Sequence, residues 1–168
     1  MSGHEQGFVL RPAAEADLPA INDIYNHYVL HCTSAWEDRT GDLAQRRRWF
    51  AQHGPRYPVV VAQAGDEVVG WGSLSPFHRR SGYRFTVEDS LYIRADAQGR
   101  GIGRAMLADL LGRAAELGYH SVMALISADQ APSLHLHEKF GFVRRGLLPE
   151  AGFKFGRWLS VVYMQKML

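Results

Sequence analysis

The 168-residue chain has one cysteine, Cys32, which excludes an internal disulfide and fits a reducing, cytoplasmic setting. Its surroundings, "HCTS", carry no activating pattern for a thiol nucleophile, so Cys32 reads as a small buried hydrophobe. No apolar run approaches the ~20 residues that cross a bilayer. The opening "MSGHEQG" lacks a basic segment followed by an apolar stretch, so no secretion signal is expected. The net charge is only +2, too small to argue for nucleic acid. Basic residues form short clusters at Arg46-Arg47-Arg48 and Arg79-Arg80, and the triplet, on an expected helix, reads as a solvated face. Repeats, low-complexity tracts and linkers are also missing. What remains is 46% hydrophobic and 21% charged, ordinary for a globular protein. The length suits one domain, 1–168, burying about 70% of its unfolded surface.

The periodicities predict an α/β domain in the order β-α-α-β-β-β-α-β-α-β, with a mixed sheet. "FVLR" (Phe8–Arg11) reads as a strand. Leu18, Ile21, Ile24, Tyr25 and Tyr28 recur at helical spacing, and a short helix from Leu43 to about Gln52 places Trp49 and Phe50 on its apolar side. Two β-branched runs flank Gly65-Asp66 as a hairpin. In "FTVEDSLYI" the residues Phe85, Val87, Leu91 and Ile93 share one face, and Thr86, Glu88, Ser90 and Tyr92 the other. A helix with Ile102, Met106, Leu107, Leu110, Leu111 and Ala114 as its stripe ends near Gly118. "SVMALI", a short helix ending at Gly141, and a long strand "RWLSVVYMQKML" complete the chain.

Between the polar-faced strand and the long helix lies "QGRGIGRA", Gln98 to Ala105. It is not a dinucleotide fingerprint, because Arg104 stands where the third glycine would be, and it lacks the Lys-Ser/Thr of a phosphate loop. Gly99, Gly101 and Gly103 nonetheless allow a sharp turn and close approach of a ligand. The first N–H groups of the helix are unpaired and lie at its positive end. A turn of this kind is either plain punctuation or a seat for a phosphate or pyrophosphate, with Arg100 and Arg104 adding charge.

Gln98-Gly99-Arg100-Gly101-Ile102-Gly103 resembles the Q/R-x-x-G-x-G/A signature of the GNAT superfamily of N-acetyltransferases. "YRFTVEDSLYI", "ISADQAPSLHLHEKFGF" and "GFKFGRWLSVVYMQ" together resemble its phosphinothricin acetyltransferase group, which includes acetyltransferases for methionine sulfone and methionine sulfoximine. The resemblance implies a mostly antiparallel central sheet flanked by helices, acetyl-CoA as co-substrate, no metal, and a homodimer. The glycine turn and Arg104 would hold the coenzyme's pyrophosphate. The backbone of Leu91, Tyr92 and Ile93 would pair with its pantetheine arm, much as an added strand pairs with an edge.

Acetyl transfer needs a neutral amine, whereas an α-amino group is mostly protonated near neutral pH. Glu88, on the polar face just before the turn, is the expected general base, directly or through water; a solvated surface carboxylate is the alternative. His137 matches a histidine of the phosphinothricin group and is either a second acid/base, a substrate-orienting group, or structural. His135 points to another helix face, so the pair does not suggest a metal site. Direct attack while both substrates are bound requires no acetylated cysteine, and a backbone N–H around Tyr92 would steady the oxyanion. The family places an asparagine where Gln130 stands, and Ser133 either caps the following helix or touches the coenzyme.

An amino-acid acceptor would present its carboxylate to His78, Arg79 and Arg80. Trp36, Phe77, Tyr83 and Phe85 form either an aromatic wall or core. Lys154 and Arg157 would reach the site, a dimer partner or solvent. The expected activity is N-acetylation of a small L-amino acid of the methionine sulfone, methionine sulfoximine or phosphinothricin type. The alternatives are a peptide or protein N-terminus as acceptor, for which no acidic cluster is seen, and a module that senses acetyl-CoA without turnover.

Overall fold

The strands and helices fall close to where side-chain period alone puts them. In the computed structural model, which describes residues 7–168, β1 (Val9–Pro12) precedes α1 (Leu18–His31) and α2 (Leu43–Ala51). The opening "MSGHEQ" of the expected leaderless N-terminus lies outside the described residues. Asp42 and Gln45 cap α2 reciprocally: the Asp42 carboxylate accepts from the Gln45 amide at 2.7 Å, and the Gln45 side chain accepts from the Asp42 amide at 2.9 Å. The hairpin about Gly65 joins β2 (Val59–Ala64) to β3 (Glu67–Pro76), and β4 (Thr86–Ile93) follows. Then come α3 (Ile102–Glu116), β5 (Ser121–Ser127), α4 (Ala131–Lys139), β6 (Val143–Lys154) and β7 (Arg157–Met167).

The seven strands form one sheet in the order β1-β2-β3-β4-β5-β7-β6. Every pairing is antiparallel except that of β4 with β5. Alternate residues of β2 feed opposite cores, which is why "VVVA" is apolar without a break. Val60 and Ala62 pack with Val87, Met106, Leu107, Leu110 and Leu134 beneath α3 and α4. Val59, Val61 and Trp71 pack with Leu18, Ile21 and Ile24 of α1 on the other face, with Tyr92 against them. No helix is long and apolar enough to cross a membrane among the described residues.

Two sequence expectations are corrected. The expected order has one strand too few: it misses β6, a twelve-residue edge strand. Its run "VRRGLLPEAGFK" has no clean alternation, and Gly146, Pro149 and Gly152 read as punctuation. An edge position tolerates them, and the register against β7 shifts between Arg144 and Gly146 and again between Leu148 and Gly152. The arginine triplet is not uniformly solvated. Arg47 and Arg48 are exposed, but Arg46 is 8% exposed and turned inward onto aromatic rings.

Candidate active site

β4 and β5 pair over only three residues, Thr86 to Glu88 against Ser121 to Met123, and then diverge. A cleft of about 800 Å³ opens where they part. Its walls include Glu88, Ser90 and Tyr92 from one face of β4, Asp89 and Leu91 from the other, the glycine turn, and Leu136 and His137 of α4. The cleft therefore passes through the sheet, so two ligands can meet from opposite sides.

At one mouth the chain makes the cradle that the glycines suggested. Gly99 and Gly101 adopt φ of 75° and 81°, conformations that a side chain makes costly. A Cβ on either would meet nothing within 4 Å, so backbone conformation rather than crowding demands glycine, and open space lies before them. Gly101 is the N-cap of α3; among the described residues no side chain caps this end, and no acidic residue stands in the first turn. The leading N–H groups are thus left for an anion. Arg100 and Arg104 are exposed beside it and make no ion pair among the described residues. Gln98 instead turns back, donating to the Tyr28 hydroxyl at 3.1 Å.

The diverging edge of β4 supplies main-chain donors and acceptors. The Arg94 N–H donates to Val69 O, and direction alternates along a strand, so Glu88, Ser90 and Tyr92 turn their amides to β3 while Asp89, Leu91 and Ile93 turn theirs to the gap. The Ile93 groups are already engaged: its N–H donates to the Tyr28 hydroxyl at 3.3 Å, and that hydroxyl donates to Ile93 O at 2.7 Å. Leu91 is left with its amide facing the cleft, whereas Tyr92 contributes its ring.

Glu88 is half-buried and accepts no hydrogen bond among the described residues. Burial, and secondarily the neighbouring charge of Asp89, push its carboxyl up to about 7. His137 lies on the opposite face, 3% exposed. Its Nδ1 donates to Ser133 O at 2.8 Å, and its Nε2 contacts Asp89 Oδ2 at 3.0 Å. Both nitrogens face acceptors, an arrangement that holds an imidazolium. Burial alone would depress its pKa, but the hydrogen bond and charge of Asp89 outweigh that and keep it above the ordinary histidine value. Both ring nitrogens are engaged while this pair stands. Asp89 was missed by the sequence reading. The signal was a carboxylate in the apolar row Val87, Asp89, Leu91, Ile93, a place where a charge requires a buried partner.

Of the remaining expected residues, Trp36, Gln130 and Ser133 line the cleft, and the loop before β4 does not. Gln130 is the N-cap of α4, and its amide nitrogen donates to Thr33 Oγ1 at 2.7 Å. Ser133 is two residues inside the helix rather than its cap, and both line the cleft. His78, Arg79, Arg80 and Tyr83 lie exposed on the loop entering β4, with Phe77 partly covered; the His78 and Tyr83 rings are 4.8 Å apart. Trp36, Tyr83 and Phe85 are surface residues rather than core. Lys154 is buried and donates to Cys32 O at 2.8 Å and Ala35 O at 2.6 Å, tying β6 to the loop after α1. Arg157 pairs with Asp129 at 2.5 Å. Cys32 lines the cleft, but burial raises its thiol pKa, only partly opposed by Lys154. Among the described residues no three of His, Cys, Asp or Glu converge as a metal site would need.

A strand parting from its neighbour, a glycine cradle and a helix start with free N–H groups make a cleft with a seat for an anion, and comparison with known proteins identifies it. Residues 21–142 match the acetyltransferase (GNAT) family. The chain is 41% identical to the L-amino acid N-acyltransferase MnaT of Escherichia coli over 160 residues, 95% of this chain and 93% of that one. It is 40% identical to the L-methionine sulfoximine/L-methionine sulfone acetyltransferase of Salmonella typhimurium, covering 95% and 94%. A phosphinothricin acetyltransferase from Sinorhizobium meliloti, solved with acetyl-CoA, superposes with a TM-score of 0.92 at 39% identity, covering 96% of this chain and 89% of that one. The chain belongs to the GNAT acetyltransferase family and uses acetyl-CoA as its co-substrate.

Proposed function

We propose that this single N-acetyltransferase domain moves an acetyl group from acetyl-CoA to the α-amino group of a small L-amino acid or analogue of the methionine sulfone, methionine sulfoximine or phosphinothricin type. The observation that carries the reading is the through-sheet cleft with Glu88 in its wall, half-buried and without a hydrogen-bond partner among the described residues. Bound acetyl-CoA supplies an acyl carbon activated as a thioester. The residues that fit it are the main chain of Gly99, Arg100, Gly101, Ile102 and Gly103 with Arg104 for the diphosphate, Leu91 for the amide-bearing arm, and Gln130 and Ser133 on the cleft wall.

Glu88, held near 7 by burial, takes a proton from the acceptor's ammonium, directly or through a water. The Leu91 N–H faces the gap where negative charge develops on the acyl oxygen. His137 and Asp89 act by position, fixing α4 against β4. A Cys32 thiol with a raised pKa is a poor nucleophile, which supports direct attack by the amine. Phe77, His78, Arg79, Arg80 and Tyr83, on the loop before β4, line neither cavity; the cations would meet the acceptor's α-carboxylate by folding over it. Release of the coenzyme A thiol with a panel of amino acids tests the reading. Methionine sulfone, methionine sulfoximine or phosphinothricin should drive release. Tight acetyl-CoA binding with release by none of them would favour a sensor, and release by peptide N-termini alone would favour a peptide acceptor.

A homodimer and a cytoplasmic location complete the reading. The β6–β7 hairpin exposes Leu147, Leu148, Phe153, Phe155 and Trp158, between 49% and 61% each, on a sheet edge that calls for a cover. Sedimentation equilibrium should return twice the chain mass, and Leu147→Asp with Phe153→Asp should return the monomer. A wild-type monomer at micromolar concentration would remove the dimer from this account.

A further inference from the structure

On the α1/α2 side of the sheet a second cavity, about 380 Å³, shares Ser90 and Tyr92 with the cleft. Its floor follows β3, where Ser75 stands opposite Glu88, Ser73 opposite Ser90 and Trp71 opposite Tyr92. It therefore extends four residues, about 13 Å, from the base toward the interior.

Arg46 is more than nine-tenths buried at this cavity. Its guanidinium carbon lies 4.5, 4.8 and 5.5 Å from the ring centres of Tyr25, Trp49 and Trp71. Among the described residues its one hydrogen bond is a long one, Nε to Asn22 Oδ1 at 3.4 Å. Among the described residues no carboxylate comes within 4.0 Å of it. Glu37, which also lines the cavity, hydrogen-bonds the Tyr25 hydroxyl instead, so its charge reaches Arg46 only at a distance. The indole N–H of Trp71 is buried without a partner among the described residues, while the Arg46 Nη atoms are not fully buried and open onto the cavity. A buried donor without an acceptor is costly, and a pocket lined by a guanidinium with no protein acceptor suits oxygens from a ligand.

We propose that this cavity is the acceptor's side-chain subsite, and that Arg46 selects amino acids whose side chain ends in unprotonated oxo groups, as in a sulfone, sulfoximine or phosphinate. The α-carboxylate does not compete for the place. It shares a carbon with the amine and stays near Glu88, while only a side chain reaches inward. The assignment rests on the amino-acid acetyltransferase reading above.

The test compares L-methionine sulfone with L-methionine, which has the same skeleton without the oxygens, in wild type, Arg46→Met and Arg46→Lys. The ratio of kcat/KM for sulfone over methionine should fall about 10- to 150-fold in Arg46→Met, through the KM of the sulfone. Arg46→Lys, which keeps the charge but not the fork, should fall between. It also serves if Arg46→Met does not fold. Quenching of Trp49 and Trp71 fluorescence by methionine sulfone, without acetyl-CoA, should weaken in the same order. If wild type binds the sulfone through Arg46 but acetylates no amino acid, the oxo-group site at Arg46 stands, and the activity reading falls together with the cavity's role as an acceptor subsite. If wild type acetylates the sulfone and both folded variants keep the wild-type ratio and quenching, the activity stands and the inference is overturned. A wild type that neither binds the sulfone nor prefers it to methionine overturns the inference as well.

Discussion

Glu88→Gln should lower kcat for acetyl transfer by about 10²–10⁴-fold, the span typical of losing a positioned general base, while leaving acetyl-CoA affinity near the wild-type value. The amide keeps the shape and cannot take a proton. Wild-type kcat should rise with pH through about 7 and then level, because Glu88 works only when ionised and burial has moved its titration there. Below that point kcat should fall toward a tenfold loss per pH unit, and the variant should lack this limb. A variant with full kcat and an unaltered profile would remove Glu88 from the chemistry.

The second large effect is expected at the buried pair on the reverse face of the same strand. His137→Ala leaves the Asp89 carboxylate, whose side chain is 2% exposed, without a counter-charge. Breaking such a pair costs about 3–5 kcal/mol, which for a chain of this length lowers Tm by about 6–20 °C. The pH dependence has a definite sign. Asp89 holds His137 above its ordinary value of 6.5, so the stabilisation is complete below 6.5 and is lost as pH rises through the higher folded-state value. The stability gap between wild type and variant should therefore narrow at alkaline pH. If His137→Ala kept full stability and lost only kcat, His137 would be a proton carrier rather than a positioning residue.

Much of this arrangement is legible in the residues. The glycine turn, the helix behind it and the two-faced strand carrying Glu88 follow from period and backbone chemistry, and the motif resemblance indicated the family. What stayed hidden depends on contacts between distant segments. Arg46 sits in a run of three arginines, and nothing local marks which one turns inward; only the stacking of Tyr25, Trp49 and Trp71 around it does so. Asp89 and His137 are 48 residues apart, so their pairing awaited the fold. β6 escaped because an edge strand is excused from the alternation and the proline avoidance by which central strands are recognised. Lys154, a surface charge by composition, is buried because two loop carbonyls receive its ammonium.

The account depends most on where the coenzyme lies and which way Glu88 faces, so the most direct measurement is a crystal structure with coenzyme A and an amino-acid acceptor. It should place diphosphate oxygens about 2.9 Å from the amides that open α3, the sulfur in the gap beside Leu91, and the acceptor nitrogen on the Glu88 side of the sheet. A diphosphate bound away from that turn, or a Glu88 carboxylate directed away from the sulfur, would contradict it.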